Sequence, residues 1–504
     1  MSLHDTLIYI NSTVESISSQ FTRLPGSSII LRYVRSSYQN DPARSVLEFC
    51  LFLFAVRYFL ASKYSVTKKD FVRLTDGEID ELVDEWTPEP LVPAMDEASQ
   101  TDVDKIPVIV GATGPKVKLA TGKSAMNLAS ANMLNLVSNE QIKQDAINTV
   151  HEYGVGVCGP PGFYGYQRVH INAEKDIAAF LGMPAAIIYA QAFNTISSVI
   201  PAFAKRGDII VADAACNIAV CKGITISRAT VRWYEHNNME DLERVLERVS
   251  KEVKGRPLTR RFVVSEGLFE NIGDICNLPK ILELKDKYKY RLILEESFSV
   301  GVIGKTGRGV AEYYGVDATE IDIISGSMAN TMVAGGGFCV SSEYAVKHQR
   351  INALGYVFSA ALPGYLAKTA SNAVAIMTTS PELFSQLNAN ARAFREIISK
   401  SQYVYSPSDP DSPLIHLRLK SEILETRKID DEDHVLQDIV DECLYNGVLI
   451  TRNKYVQSAE NFPILPSLKV QVTTGLNKKE TEKAALVVKA AISKVVAKIP
   501  KAKH

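Results

Sequence analysis

Four short apolar runs, each ending in an acid or a hydroxyl, most strongly limit what this chain can fold into. Residues 209–213 (IIVAD), 262–266 (FVVSE), 291–296 (RLILEE) and 321–325 (IDIIS) are rich in β-branched and aliphatic side chains. They are too short for helices and too uniformly apolar for strands with one wet face, so they are predicted as buried parallel strands. Turn residues and a helical stretch follow each run. Residues 238–251 (NMEDLERVLERVSK) place apolar side chains at helical spacing with charges outward, and Asp213 or Asn217 is suited to cap the helix after the first strand. Strands alternating with helices from about residue 145 predict an α/β sheet with crossover helices, and residues 380–495 predict a smaller α+β domain.

The chain has 504 residues, 46% hydrophobic and 22% charged, with net charge -1. That length exceeds one ordinary core, and the balanced charge gives no sign of a nucleic-acid partner. Its seven cysteines are scattered and odd in number, without metal-ligand spacing, so they read as reduced thiols and no metal is expected. Residues 45–62 (SVLEFCLFLFAVRYFLAS) form a strongly apolar run interrupted by Glu48 and Arg57. A single membrane helix is expected there, with a buried or interfacial helix as the alternative. Lys63, Lys68, Lys69 and Arg73 after it favour a cytosolic body, although Arg32, Arg35 and Arg44 before it weigh against that direction. Asn11-Ser12-Thr13 is a glycosylation sequon that suits a lumenal start. The expected organisation is therefore an N-terminal segment 1–44, a membrane helix 45–62, a linker 63–100, a large domain 101–375 and a small domain 376–504.

The densest motif is the strand end Glu295-Glu296-Ser297-Phe298-Ser299, which runs into Gly301, Gly304, Gly307 and Gly309. A strand ending in acids before a glycine-dense loop is where an open α/β sheet places ligands. The line LEESFSVGVIGKTGRGVAEYYG resembles the α-oxoamine synthase family of pyridoxal-phosphate enzymes, as do YGVGVCGPPGFYGYQRVHINAEKDIAAFLG (153–182) and HNNMEDLE (236–243). The resemblance covers about residues 100–495. It implies an aspartate-aminotransferase-like (fold type I) large domain, a smaller α+β C-terminal domain, and dimers whose active sites lie between subunits.

The same resemblance marks losses. The family's Schiff-base lysine follows a strand, and Asn330 stands there in DIISGSMAN; an amide cannot form the imine. The ring-stacking histidine aligns with Asn217, the pyridinium-pairing aspartate with Glu295, the histidine of the Asp-Glu-Ala-His line with Phe298, and a carboxylate-binding arginine with about Ser467. Lys305 and Lys347 are misplaced as substitutes. No residue of this chain is therefore expected to be catalytic. Together with EWTPEPLVP (85–93) and the Leu-Glu-Glu-Ser form of the acid strand, these losses resemble the non-catalytic large-subunit family of eukaryotic serine palmitoyltransferase. That resemblance implies a heterodimer whose lysine-bearing partner holds pyridoxal phosphate covalently and condenses L-serine with palmitoyl-CoA to 3-ketodihydrosphinganine, the first step of sphingolipid biosynthesis. It also implies an endoplasmic reticulum membrane location, a small activating subunit and Orm-type regulators. Cys216, Tyr164, Ser325 and Ser359 are the candidates for interface or substrate-proximal positions, Ser359 because its segment resembles the one that reaches the partner's cofactor phosphate. The alternatives are an active homodimeric α-oxoamine synthase or a lipid-binding scaffold pseudoenzyme.

Overall fold

The computed structural model describes residues 26–60, 74–92, 94, 103, 105–255, 257–427, 429 and 431–500. The sequon, Lys63, Lys68, Lys69, Arg73 and the last two residues of the apolar run lie outside them. Two compact units are present, residues 1–100 and 101–504. The first holds helices Ser27–Asn40, Pro42–Leu60 and Asp76–Glu85. Helix Pro42–Leu60 carries residues 45–60 of the apolar run and buries none of its residues. Among the described residues no helix is long and apolar enough to cross a membrane. Arg44, Glu48 and Arg57 all fall inside this nineteen-residue helix, and charges at such positions oppose insertion.

The second unit is built on strands β1 (Lys116–Lys118), β2 (Ser124–Asn127), β3 (Ala185–Tyr189), β4 (Ile209–Asp213), β5 (Thr230–Tyr234), β6 (Arg261–Glu266), β7 (Arg291–Glu295), β8 (Ile323–Ser327) and β9 (Gly337–Ser341). Next come β10 (Val404–Tyr405), β11 (Leu414–Leu419), β12 (Val448–Leu449), β13 (Thr451–Arg452) and β14 (Leu468–Gln471). The main sheet has the order β3-β9-β8-β7-β6-β4-β5, and a four-stranded C-terminal sheet has the order β10-β11-β14-β13. In the main sheet β9 alone runs antiparallel to its neighbours. Strands β4, β8 and β9 are buried along their whole length, and β6 and β7 at every residue but the arginine that begins each, as their apolar runs require of a sheet covered on both faces. The fourth strand starts two residues later than its apolar run. Asp322 stays at its start, where its carboxylate accepts from the Leu292 amide at 2.9 Å and pairs with Arg291 and Lys285. Asn217 caps helix Ile218–Ser227 by accepting from the Ala219 and Val220 amides, and Asn238 caps Met239–Glu252 through the Asp241 amide. The expected boundary at 375/376 falls inside helix Gly364–Thr379, which packs against helices Glu140–Tyr153 and Arg168–Leu181.

Candidate functional site

The chain leaves β4 for the edge strand β5 and returns to β6 on the other side of β4. The order therefore reverses between β4 and β6, and open sheets of this kind take ligands beyond the strand C-termini at such a reversal. Acids end three strands there. Asp213 closes β4, Glu266 closes β6 and Glu295 closes β7; Glu266 is paired in register with Glu295, and Glu295 with Ser325 on β8. All four are buried.

These carboxyls are fed by local donors. Glu266 accepts from the amides of Asn217 and Glu270, and burial, with Glu295 beside it, holds its carboxyl well above the usual range. Glu295 Oε1 accepts from the Ser297 amide at 3.0 Å and from the Ser297 hydroxyl. Its Oε2 and the neighbouring Ser325 Oγ have no partner among the described residues. Burial pushes Glu295 up to about 8, against the lowering effect of Ser297. Glu296 accepts from the Ser299 hydroxyl and the Val310 amide, and burial pushes it up to about 7. Gly309, at φ 86°, leaves room for that carboxyl, since a Cβ there would meet Glu296 Cδ at 3.0 Å. Asp213 is different because a cation serves it. His236 bridges Asp213 Oδ1 and Asp274 Oδ2, at 3.0 Å each. Burial works against the charge on His236, but the two carboxylates outweigh it and raise the imidazole to about 10.

Side chains of the C-terminal sheet close the site. Lys469 on β14 donates to Glu270 Oε1 at 3.0 Å and lies 5.1 Å from the centre of the half-buried Phe298 ring. Ser467 is fully buried and shares a 2.9 Å hydrogen bond with His416 Nδ1, while His416 Nε2 donates to the Glu270 carbonyl. Burial, then Lys469, push His416 down to about 3, so its ring is neutral.

Asn330 sits in the turn after β8 and donates its Nδ2 to the Ser297 carbonyl at 2.8 Å. Asn217 spends its side chain on the helix cap. Lys305 is exposed and Lys347 pairs with Glu343 at 3.5 Å on the surface. The residues present here do not fit a covalently held pyridoxal phosphate: Asn330 offers an amide, which forms no imine, and the amine brought to the site, Lys469, is held by Glu270. Lys469 escaped the sequence reading, although a lysine inside the otherwise uncharged strand LKVQ is a signal of a buried partner.

The remaining candidates divide between core and surface. Cys216 is 1% exposed and its thiol is pushed well above its usual value by burial, so it offers no surface to another subunit. Tyr164 is fully exposed in the turn of the glycine-rich loop, beside Phe163. That loop is tied to the Ser359 segment by the Ala361 amide, which donates to the Gly159 carbonyl at 3.0 Å. Ser359 lines a cavity of about 430 Å³ with Cys158, Gln191 and Asn194. Cys158, at φ 53° and exposed, was not singled out by its sequence context, because nothing local links it to residue 359. Among the described residues no cluster of three or more His, Cys, Asp or Glu side chains could hold a metal ion.

A seven-stranded α/β sheet with acids buried at its switch point defines the class, and the Aminotransferase class I and II family model matches residues 123–488. The chain is 40% identical to "Serine palmitoyltransferase 1" of Dictyostelium discoideum over 86% of this chain and 92% of that one. It is 35% identical to "Serine palmitoyltransferase 1" of Saccharomyces cerevisiae, over 94% and 92%. A match to "Long chain base biosynthesis protein 1" of Arabidopsis thaliana is 35% identical over 84% and 87%. The chain belongs to the serine palmitoyltransferase 1, or long chain base biosynthesis protein 1, family. The solved Sphingomonas wittichii serine palmitoyltransferase superposes with TM-score 0.70 at 20% identity, covering 84% of this chain and 99% of that one. A structure of "SPT with PLP internal aldimine" gives TM-score 0.70 at 21% identity over 84% and 100%. At that identity the likeness concerns the fold.

Proposed function

We propose that this chain is the non-catalytic subunit of serine palmitoyltransferase, completing and stabilising the active site of a lysine-bearing partner. That partner holds the pyridoxal phosphate and condenses L-serine with palmitoyl-CoA to 3-ketodihydrosphinganine in sphingolipid biosynthesis. The observation that carries this reading is Asn330, whose amide is committed to the Ser297 carbonyl after β8. The surface that serves the partner is the glycine-rich loop and the segment tied to it, where Phe163, Tyr164 and Phe358 are 60%, 102% and 74% exposed. Exposed aromatic side chains grouped in this way mark protein interfaces. Borohydride reduction of the coexpressed complex, followed by peptide mass spectrometry, tests the assignment. Label on a lysine of the partner and none on this chain is expected; label on Lys469 would instead support an active homodimer.

The same proposal places the chain at the endoplasmic reticulum membrane with residues 101–504 in the cytosol, where a small activating subunit and Orm-type regulators join it. Support comes from helix Pro42–Leu60, on which Phe52, Phe54 and Phe59 are 63%, 69% and 81% exposed, an apolar surface suited to lipid or to another apolar helix. Extraction into carbonate without detergent would remove this location.

A further inference from the structure

The main sheet has a second opening, at the edge opposite the acids. Where β6, β7 and β8 begin and β9 ends, a cavity of about 660 Å³ penetrates the second unit, within the range of roughly 300–1,000 Å³ usual for small-molecule sites. Four cations line it: Arg260, Arg261, Lys289 and Arg291. Strand pairing brings them together. Phe262 of β6 is in register with Arg291, so Arg261 and Arg291 stand at the same edge of neighbouring strands. Lys289 terminates helix Leu278–Tyr288 in the left-handed conformation, at φ 63°, just before β7. Arg260 is steadied by its Nη1 bond to the Phe203 carbonyl at 2.9 Å.

The lining contains one carboxylate, Asp322, and it is already shared. Its Oδ1 takes Arg291 at 2.9 Å, and its Oδ2 takes Lys285 at 3.2 Å and the Leu292 amide at 2.9 Å. Nearby Asp208 receives the backbone amides of Lys205 and Arg260. Arg261 and Lys289 have no carboxylate partner among the described residues. Thr259 Oγ1 is buried in the lining without a hydrogen-bond partner there. Converging cations with spare donors form a site for a phosphate-type anion. The same lining carries aromatic rings: Phe203 and His348 are 5.2 Å apart, and Tyr344 is 85% exposed. A flat ring can lie against such side chains.

We propose that this cavity binds an organic phosphate carrying a planar base, of the nucleoside diphosphate class, away from the acid-lined end of the sheet. The phosphates lie between Arg261, Lys289 and Arg291, and the base lies against Tyr344 and Phe203. The proposal is independent of how the acid-lined end works.

Calorimetric titration of the purified full-length protein, with any subunit that copurifies, tests it using ADP, adenosine and inorganic phosphate as separate probes. ADP is expected to bind saturably, and more tightly at low salt. Adenosine and phosphate should each bind about tenfold or more weaker, since each keeps one of the two kinds of contact. Arg261→Glu and Lys289→Glu should each weaken ADP by about tenfold, and Tyr344→Ala by a few-fold, with unchanged melting curves. Lys289 and Tyr344 are exposed, so those variants decide the matter if Arg261→Glu fails to fold. No ADP binding, or ADP binding that the Lys289 and Tyr344 variants leave unchanged, overturns the proposal. Phosphate binding as tightly as ADP overturns the role of the aromatic rings and with it the nucleotide class.

Discussion

The two ends of the main sheet differ in sign and in how exposed their charged groups are. Strands β6 and β7 both begin with arginine and end with glutamate. At the C-terminal end, where helix N-termini gather, carboxyls receive backbone amides, as Glu266 does from Asn217 and Glu296 from Val310. At the N-terminal end, where helices finish, cations gather around Lys289. Each end carries the sign that helix termini favour. The acids are buried and mostly hydrogen-bonded, whereas the cations line an open cavity, and among the described residues only Arg291 of the four has a carboxylate ion pair. Each end leaves buried polar atoms without a partner among the described residues, Glu295 Oε2 and Ser325 Oγ at one and Thr259 Oγ1 at the other, so it is the open, cation-lined cavity that equips the second end for an anionic ligand.

The largest effect expected from disturbing this contrast is at His236. Its removal leaves Asp213, 1% exposed, as a buried charge without its cation. His236→Ala should cost about 3 kcal/mol, the low end for a broken buried pair, because His236 and Asp274 are 17% and 19% exposed. Denaturant unfolding measures this; a loss under about 1 kcal/mol would mean that Asp213 is served by its backbone amides alone. Asn217→Ala should follow, at about 1 kcal/mol for a lost helix cap. If Asn217 had a ligand-facing role instead, the same variant would change partner turnover at unchanged stability.

Two smaller effects are read in pH. The two carboxylates raise His236 from the ordinary imidazole value of 6.5 to about 10 in the folded state. Its stabilisation is therefore complete below about 6.5 and is lost as pH rises through about 10. Burial raises Glu295 from the ordinary carboxyl value of 4.5 to about 8 in the folded state. For an acid raised in this way the folded state holds the extra proton, so stability falls as pH rises from about 4.5 to about 8. Glu295→Gln should flatten that fall and leave the His236 loss in place. Melting temperatures from pH 5 to 10 distinguish the two; an unchanged slope below pH 8 would show that Glu295 ionises normally. The smallest effect is at the other end. Arg291→Ala removes an exposed partner from Asp322, which keeps Lys285, and should change stability by less than about 0.5 kcal/mol. A larger loss would make that end structural.

The sequence alone determined the strand-and-helix alternation, because fully buried parallel strands need unbroken apolar runs, and 209–213 matches β4 end to end. It also determined the absence of a lysine at residue 330, which follows from residue identity. Motif alignment named Glu295, Phe298 and Ser467, and in the structure Lys469, two residues from Ser467, lies 5.1 Å from the Phe298 ring. Long-range packing decided the rest. Whether Asn217 faces a pocket or caps a helix depends on the turn leading into Ile218–Ser227. The burial of Cys216 depends on the layers above and below β4. Lys469 on β14 reaches Phe298, a residue 171 positions away (469 − 298) in the segment after β7, and Cys158 meets Ser359 across one cavity. The cationic cavity arises the same way, because Arg260, Lys289 and Arg291 are unremarkable surface residues in the chain. Only parallel pairing of β6 with β7 sets them side by side, since strand register fixes which ends meet and local sequence does not encode it.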